Sequence, residues 1–220
     1  MLSKLVNKED LPNKIKLWDG MTILVAGFLG NGTPERLIDF LLESEVKNLK
    51  IIVNDTSYPG KGVARLIEAH RVKNLVTTHI GTNPETQKQF NNQELNIEFS
   101  PQGTLLERIR AGGSGLGGIL TPVGIGTPVE EGKQKIIVNE KEYILELPLT
   151  GDLSILKARK ADRFGNLLYY GTSCNFNPVM SLSGKTVIAQ VDEIVEVGEL
   201  DPNLIATPGI LVDYIIQTGK

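Results

Sequence analysis

Cysteine is almost missing: Cys174 stands alone in 220 residues. A single thiol excludes an internal disulfide and fits a reducing compartment. Its neighbours Thr172, Ser173 and Asn175 supply no acid–base partner, so an inert thiol is the preferred reading. Histidine is nearly as scarce. His70 and His79 miss the spacing of a zinc-binding helix, and with one cysteine they complete no site, so no metal is implied. A basic excess is missing too. The formal charge is −3 and the Lys and Arg residues are interleaved with acids, which leaves nothing to displace counterions from a nucleic acid. The stretch from Met1 to Asp10 lacks the apolar core of a secretory leader. No run approaches the ~18 apolar residues of a membrane helix. These absences predict a cytoplasmic globular protein with neither nucleic acid nor membrane as partner.

What is present is an alternation of short apolar runs with amphipathic stretches, from Thr22 to about Ala111. Strands are expected at Thr22–Ala26, Leu49–Val53, Leu75–Thr78 and Ile97–Phe99. Helices are expected from Pro34, with Thr33 as N-cap, over Gly62–His70, over Pro84–Phe90, and over Thr104–Arg110 with a capping box between Thr104 and Glu107. Repeated β-loop-α units of this length argue for a mainly parallel sheet with flanking helices.

Beyond Ala111 the texture changes. Gly112 to Gly118 holds too much glycine for a helix or strand interior. Residues 135–138 and 142–147, joined by a turn at Asn139-Glu140, read as a β-hairpin in the C-terminal half. Further strands are expected at Leu153–Ala158, Leu167–Tyr170 and Thr186–Val191, with a turn over Arg163–Asn166. Nothing resembles a linker, so residues 1–220 are expected to form one domain.

Three nucleotide or nucleophile motifs fail on inspection. Gly113-x-Gly115-x-x-Gly118 follows a helix instead of a strand and lacks an acidic residue about twenty positions on. Gly184-Lys185-Thr186 lacks the earlier glycine of a phosphate loop, because Val179 stands there. Ser114 is not in a Gly-x-Ser-x-Gly context, since Leu116 replaces the last glycine.

Polar and glycine residues gather instead at strand ends. Gly27-Phe28-Leu29-Gly30-Asn31-Gly32 leaves the first strand and enters a helix, a setting suited either to a phosphate or carboxylate, or simply to a tight turn. Asn54-Asp55-Thr56 and Pro101-Gln102-Gly103-Thr104 leave two other strands at the same expected edge, the usual place for a ligand in such a sheet. Asn54, Asp55 and Thr104 also suit capping or Asx-turn roles. Gln102 does not, because glutamine caps poorly, and its amide invites a role as hydrogen-bond donor.

The run Asp19-Gly20-Met21-Thr22-Ile23-Leu24-Val25-Ala26-Gly27-Phe28-Leu29-Gly30-Asn31-Gly32-Thr33-Pro34 resembles the A-subunit signature of family I CoA-transferases. The resemblance continues through Val53–Thr56 and Ile80–Glu85, is densest over Ser100–Gly113, and extends to Asn175–Pro178 and Ala206–Ile210, covering nearly the whole chain. Ala26 departs from it, adding a methyl where the signature has the first glycine of Gly-Gly-Phe.

The resemblance implies an α/β CoA-transferase-like fold, an acyl-CoA contact at Ala26, Gly27, Phe28, Leu29, Gly30, Asn31 and Gly32, oxyanion support from Gln102, and Asn54 and Asp55 close to the reacting centre. It implies CoA as co-substrate with no other cofactor, and short-chain acids such as acetate, butyrate and acetoacetate as acceptors, with succinyl-CoA:3-oxoacid transfer as the alternative. The family's nucleophile is a glutamate in a Ser-Glu-Asn-Gly-type motif on a B subunit. No glutamate here precedes Asn-Gly, so a B partner in an α2β2 or α4β4 assembly is implied. Two readings from other classes remain: a phosphosugar-binding or isomerase-like domain, and an acyl-CoA hydrolase, for which no water-activating glutamate is found.

Overall fold

A computed structural model describes residues 3–218. After a short helix α1 (Leu11–Lys14), the elements run β1 (Thr22–Val25), α2 (Glu35–Glu43), β2 (Leu49–Val53), α3 (Val63–Glu68), β3 (Val72–Thr77), α4 (Pro84–Asn91), β4 (Asn96–Phe99) and α5 (Gln102–Gly113). Then come β5 (Ile119–Thr121), β6 (Lys135–Val138), β7 (Lys141–Glu146), β8 (Gly151–Asp162), β9 (Leu167–Leu168), α6 (Asn177–Met180), β10 (Gly184–Val195) and β11 (Tyr214–Gln217).

Seven strands make a parallel sheet in the order β11-β10-β8-β1-β2-β3-β4, and β9 pairs antiparallel with β8. β1 lies centrally, with Ile23 in register with Ile51 of β2 and Leu153 of β8. Its alternate side chains serve two cores, which is why the run is apolar throughout. Ile23 and Val25 pack with Leu37, Ile38 and Leu41 of α2 and Leu66 and Ile67 of α3. Leu24 and Ala26 pack on the other side with Leu105 and Ile109 of α5 and Val179 and Met180 of α6. The expected parallel sheet with flanking helices is the observed architecture.

The expected hairpin forms as well. β6 and β7 pair from Val138↔Lys141 to Lys135↔Ile144, and Asn139 and Glu140 turn with φ of 48° and 64°. β5, which sequence periodicity did not reveal, completes a separate three-stranded sheet β5-β7-β6.

Several local expectations need correction. Thr33 is not the N-cap of α2; Pro34 holds that position, and the buried Thr33 hydroxyl fills the space beside Gly27. The capping box at Thr104 does not form. α5 starts two residues earlier, at Gln102 behind Pro101, and this phase buries Thr104, Leu105 and Ile109. Gly112 and Gly113 belong to α5 after all: a side chain at either would collide with Leu149 or Leu182, so these glycines permit close approach. β8 and β10 run 12 residues each, longer than expected, and β11 was missed.

Candidate active site

β1, β2, β3 and β4 end along one edge of the sheet. The loop leaving β1 is a miniature hairpin: the Phe28 and Asn31 amides donate to each other's carbonyl oxygens at 2.9 and 2.8 Å. Its two tip residues, Leu29 and Gly30, have φ of 48° and 85°, the signs of a type I′ turn. Glycine suits that conformation. Leucine does not, and the strain must be held by contacts.

One such contact comes from the loop after β2. The Leu29 amide donates to Oδ2 of Asp55 at 3.0 Å, and the Ser57 amide donates to Oδ1 at 2.8 Å. Asn54 Nδ2 also donates to Asp55 Oδ2, at 2.9 Å. Asn54 is fully buried, and its main-chain oxygen accepts from the Thr78 amide and from the Thr77 and Thr78 hydroxyls at 2.9, 3.1 and 2.7 Å. From this fixed base, Asn54 Oδ1 accepts a hydrogen bond from Gln102 Nε2 at 3.1 Å. Gln102 opens α5 and is exposed, so its second Nε2 hydrogen is free to meet a ligand. Gln102, Asn54 and Asp55, drawn from separate stretches of sequence, thus form one chain of contacts that reaches the glycine loop.

The loop offers less than its setting suggests. The first amides of α2 are not an open anion site: Pro34 has no N–H, and the Arg36 amide donates to buried Gln190 Oε1 at 2.8 Å. The amides of Ala26, Phe28, Leu29 and Asn31 are also taken, whereas those of Gly27, Gly30 and Gly32 have no acceptor among the described residues. Ala26 is 1% exposed and its methyl packs into the core beside Leu24, so the extra methyl does not narrow the loop. Gly27 is buried as well, whereas Asn31 is exposed and Phe28, Leu29, Gly30 and Gly32 are partly so.

Sequence reasoning missed the other wall of the site. A cavity of about 560 Å³ beside Gly32 is lined by Lys157, Arg159, Tyr170, Ser173 and Asp192. Lys157 and Arg159 both pair with Asp192; burial, the largest single influence, raises the Asp192 carboxyl, but Lys157, Thr218 and Arg159 together hold it below its ordinary value. Asn177, fully buried, locks this wall to the loop. Its Nδ2 donates to the Gly32 and Ser173 oxygens at 3.0 and 2.9 Å, and its Oδ1 accepts from the Lys157 amide at 2.7 Å. The spaced cations of Lys157-Ala158-Arg159 were visible in the sequence, but their partner Asp192 depends on the β8–β10 register. No cluster able to hold a metal ion occurs among the described residues, and no helix is long and apolar enough to cross a membrane.

Known proteins share both the sequence and the fold. A sequence model of the family described as "Coenzyme A transferase" matches residues 9–218. The chain is 51% identical over 217 residues to the acetoacetyl-CoA:acetate/butyrate CoA transferase alpha subunit of Clostridium acetobutylicum, covering 99% of each chain. It is 42% identical over 198 residues to one subunit of a probable succinyl-CoA:3-ketoacid coenzyme A transferase from Bacillus subtilis, covering 90% of this chain and 83% of the other. Among solved structures, an acyl-CoA transferase from Escherichia coli O157:H7 in a thioester complex with CoA superposes with a TM-score of 0.85 at 22% identity, covering 99% of this chain and 47% of that one.

Proposed function

The chain belongs to the coenzyme A transferase family, and from that premise we propose that it is the A (alpha) subunit of an enzyme moving CoA between short-chain acyl-CoA and acids such as acetate, butyrate and acetoacetate. Identity of 51% over essentially the full length of a subunit so named favours these acids over succinate. Succinyl-CoA:3-oxoacid transfer stays as the second reading, supported by the 42% relative. The phosphosugar-binding and hydrolase readings are set aside.

The observation that carries the mechanism is the Gln102 amide, anchored on Asn54 and still holding a free N–H at the sheet edge. In the reaction a carboxylate oxygen attacks the thioester carbonyl carbon, and negative charge builds on the carbonyl oxygen. Collapse breaks the C–S bond, giving a mixed anhydride and CoA thiolate. The thiolate then attacks the enzyme's acyl carbon and expels the substrate acid, leaving an enzyme thioester; an incoming acid reverses the steps. A donor already held in place lowers the barrier because it does not reorganise as charge develops.

The attacking glutamate is assigned to a B subunit, because no glutamate of this chain precedes Asn-Gly. The 220 residues act as one unit of an α2β2 or α4β4 cytoplasmic assembly, with CoA as co-substrate and no further cofactor. The test is CoA transfer from acetoacetyl-CoA to acetate by the purified chain, alone and mixed with its B partner. Activity should need both; robust turnover by this chain alone would remove the two-subunit reading.

A further inference from the structure

We propose that Asp55 is a positioning residue that fixes the direction of the Gln102 amide and ties it to the tip of the glycine loop. The inference rests on the transferase reading above and adds a role to a residue otherwise placed only near the reacting centre.

The polarity of the contact chain follows from two donors that cannot be turned round. The Leu29 and Ser57 main-chain amides both donate to Asp55, one to each carboxylate oxygen. A carboxylate serving them only accepts, so Asn54 must offer its Nδ2 to Asp55 Oδ2. That choice leaves Asn54 Oδ1 facing outward, and an oxygen there can be met only by a donor. Gln102 therefore presents Nε2 to Asn54, as observed. One carboxylate sets two side-chain amides, the second being the group proposed to meet the developing oxyanion. Asn54 cannot swing away to relieve a mismatch, since it is fully buried and its main-chain oxygen is held by three donors.

The same carboxylate oxygen holds Leu29 in its left-handed conformation. Gln102 and the loop tip are thus linked through one atom, Asp55 Oδ2. A displacement of the tip is felt at the amide, and a change at Asp55 disturbs both.

The test uses the complex reconstituted with the B partner. Gln102→Ala should lower kcat by about 10²–10³. Asp55→Asn, which keeps the shape but leaves one accepting oxygen, should lower kcat by at least about tenfold through Gln102 and separately raise KM for acyl-CoA through the loop tip. Placed on Gln102→Ala, the same Asp55→Asn change should alter kcat by less than about twofold, because the amide it positions is gone. Multiplying effects in the double variant would overturn the proposal. Should Asp55→Asn fail to fold or assemble, Gln102→Glu decides alone. It sets a carboxylate against Asn54 Oδ1, so its kcat at neutral pH should fall below that of Gln102→Ala and recover as acid protonates the new carboxyl into a donor. Wild-type activity from Gln102→Glu would mean that no donor is needed at this position, and the proposal would fall with the amide it positions. Absence of transfer by the wild-type complex is a separate result that removes the transferase reading itself.

Discussion

Asn177 Nδ2 donates to the carbonyl oxygen of Gly32, a residue 145 positions away in the chain, at 3.0 Å. The contact makes Gly30 and Gly32, two of the loop's three glycines, unequal. A β-carbon at Gly32 would lie 2.7 Å from Asn177 Nδ2 and 3.0 Å from Ser173, inside the wall. A β-carbon at Gly30 would meet only the Ser57 hydroxyl, at 3.7 Å.

Gly32→Ala should therefore break the loop-to-wall contact and lower the melting temperature clearly. Gly30→Ala should cost only the strain of its left-handed backbone, about 1–2 kcal/mol, and show itself mainly as a raised KM for acyl-CoA. Paired thermal melts and steady-state kinetics on the reconstituted complex check this. Equal melting temperatures for the two variants would count against the asymmetry.

Arg108 ties the small sheet to the body. Buried in α5, it donates from Nε to the Leu147 oxygen at 2.8 Å and from Nη1 to Glu98 at 2.5 Å, with Glu146 Oε2 3.6 Å from Nε. Glu146 is 1% exposed and has Lys133 as its other partner, at 2.7 Å. Arg108→Ala should cost about 1–3 kcal/mol, since it leaves the Leu147 oxygen without its donor and Glu146 with Lys133 alone. Replacing Arg108 and Glu146 together with leucine should recover much of that loss. Urea unfolding measures both; a cost below about 1 kcal/mol for the single variant would mean the charges are solvated after all.

Asp152 supplies a pH dependence. Lys185 holds its carboxyl below the ordinary value, burial opposes this, and the Thr22 amide assists Lys185. A folded-state value below the unfolded one means stability that is present above the unfolded value and lost as pH falls through the folded one. Asp152→Asn should thus be less stable than wild type at neutral pH, and the gap should narrow below about pH 4. Melting curves from about pH 3 to pH 7 would show the convergence; a gap independent of pH would assign the loss to packing.

Much of the sheet could be read from sequence because β1 and β2 are buried on both faces, so their apolar runs stand out. β5 and β11 could not: the first is three residues long, and the second is recognised only by its pairing with β10. Thr33 and Thr104 looked like caps because threonine before a helix often is one, but tertiary packing claimed both side chains. At the site, strand-end logic singled out Asn54, Asp55, Gln102 and the glycine loop. It could not show that Asp55 faces Leu29, nor that Ala26 turns inward, since both depend on how loops from different strands meet. The partners of Asp192 and Asn177 were invisible for the same reason.

β8 leaves its pairing with β1 at Ile155 and runs on with β10 as far as Asp162. That extension is braced on its other edge, where β9 pairs with Lys160 and Ala161 and Asn177 Oδ1 accepts from the Lys157 amide. Rungs of opposite charge cross its ladder as well: Lys157 with Asp192, Lys160 with Glu193 at 3.0 Å, and Arg163 with Glu196 at 3.0 Å. Most of these groups are solvent-facing, so dissolved salt weakens the rungs while leaving the apolar root untouched. Ionic strength is therefore expected to act first on the charged fringe of this ribbon, while its ladder with β10 and its apolar contacts hold the wall in place.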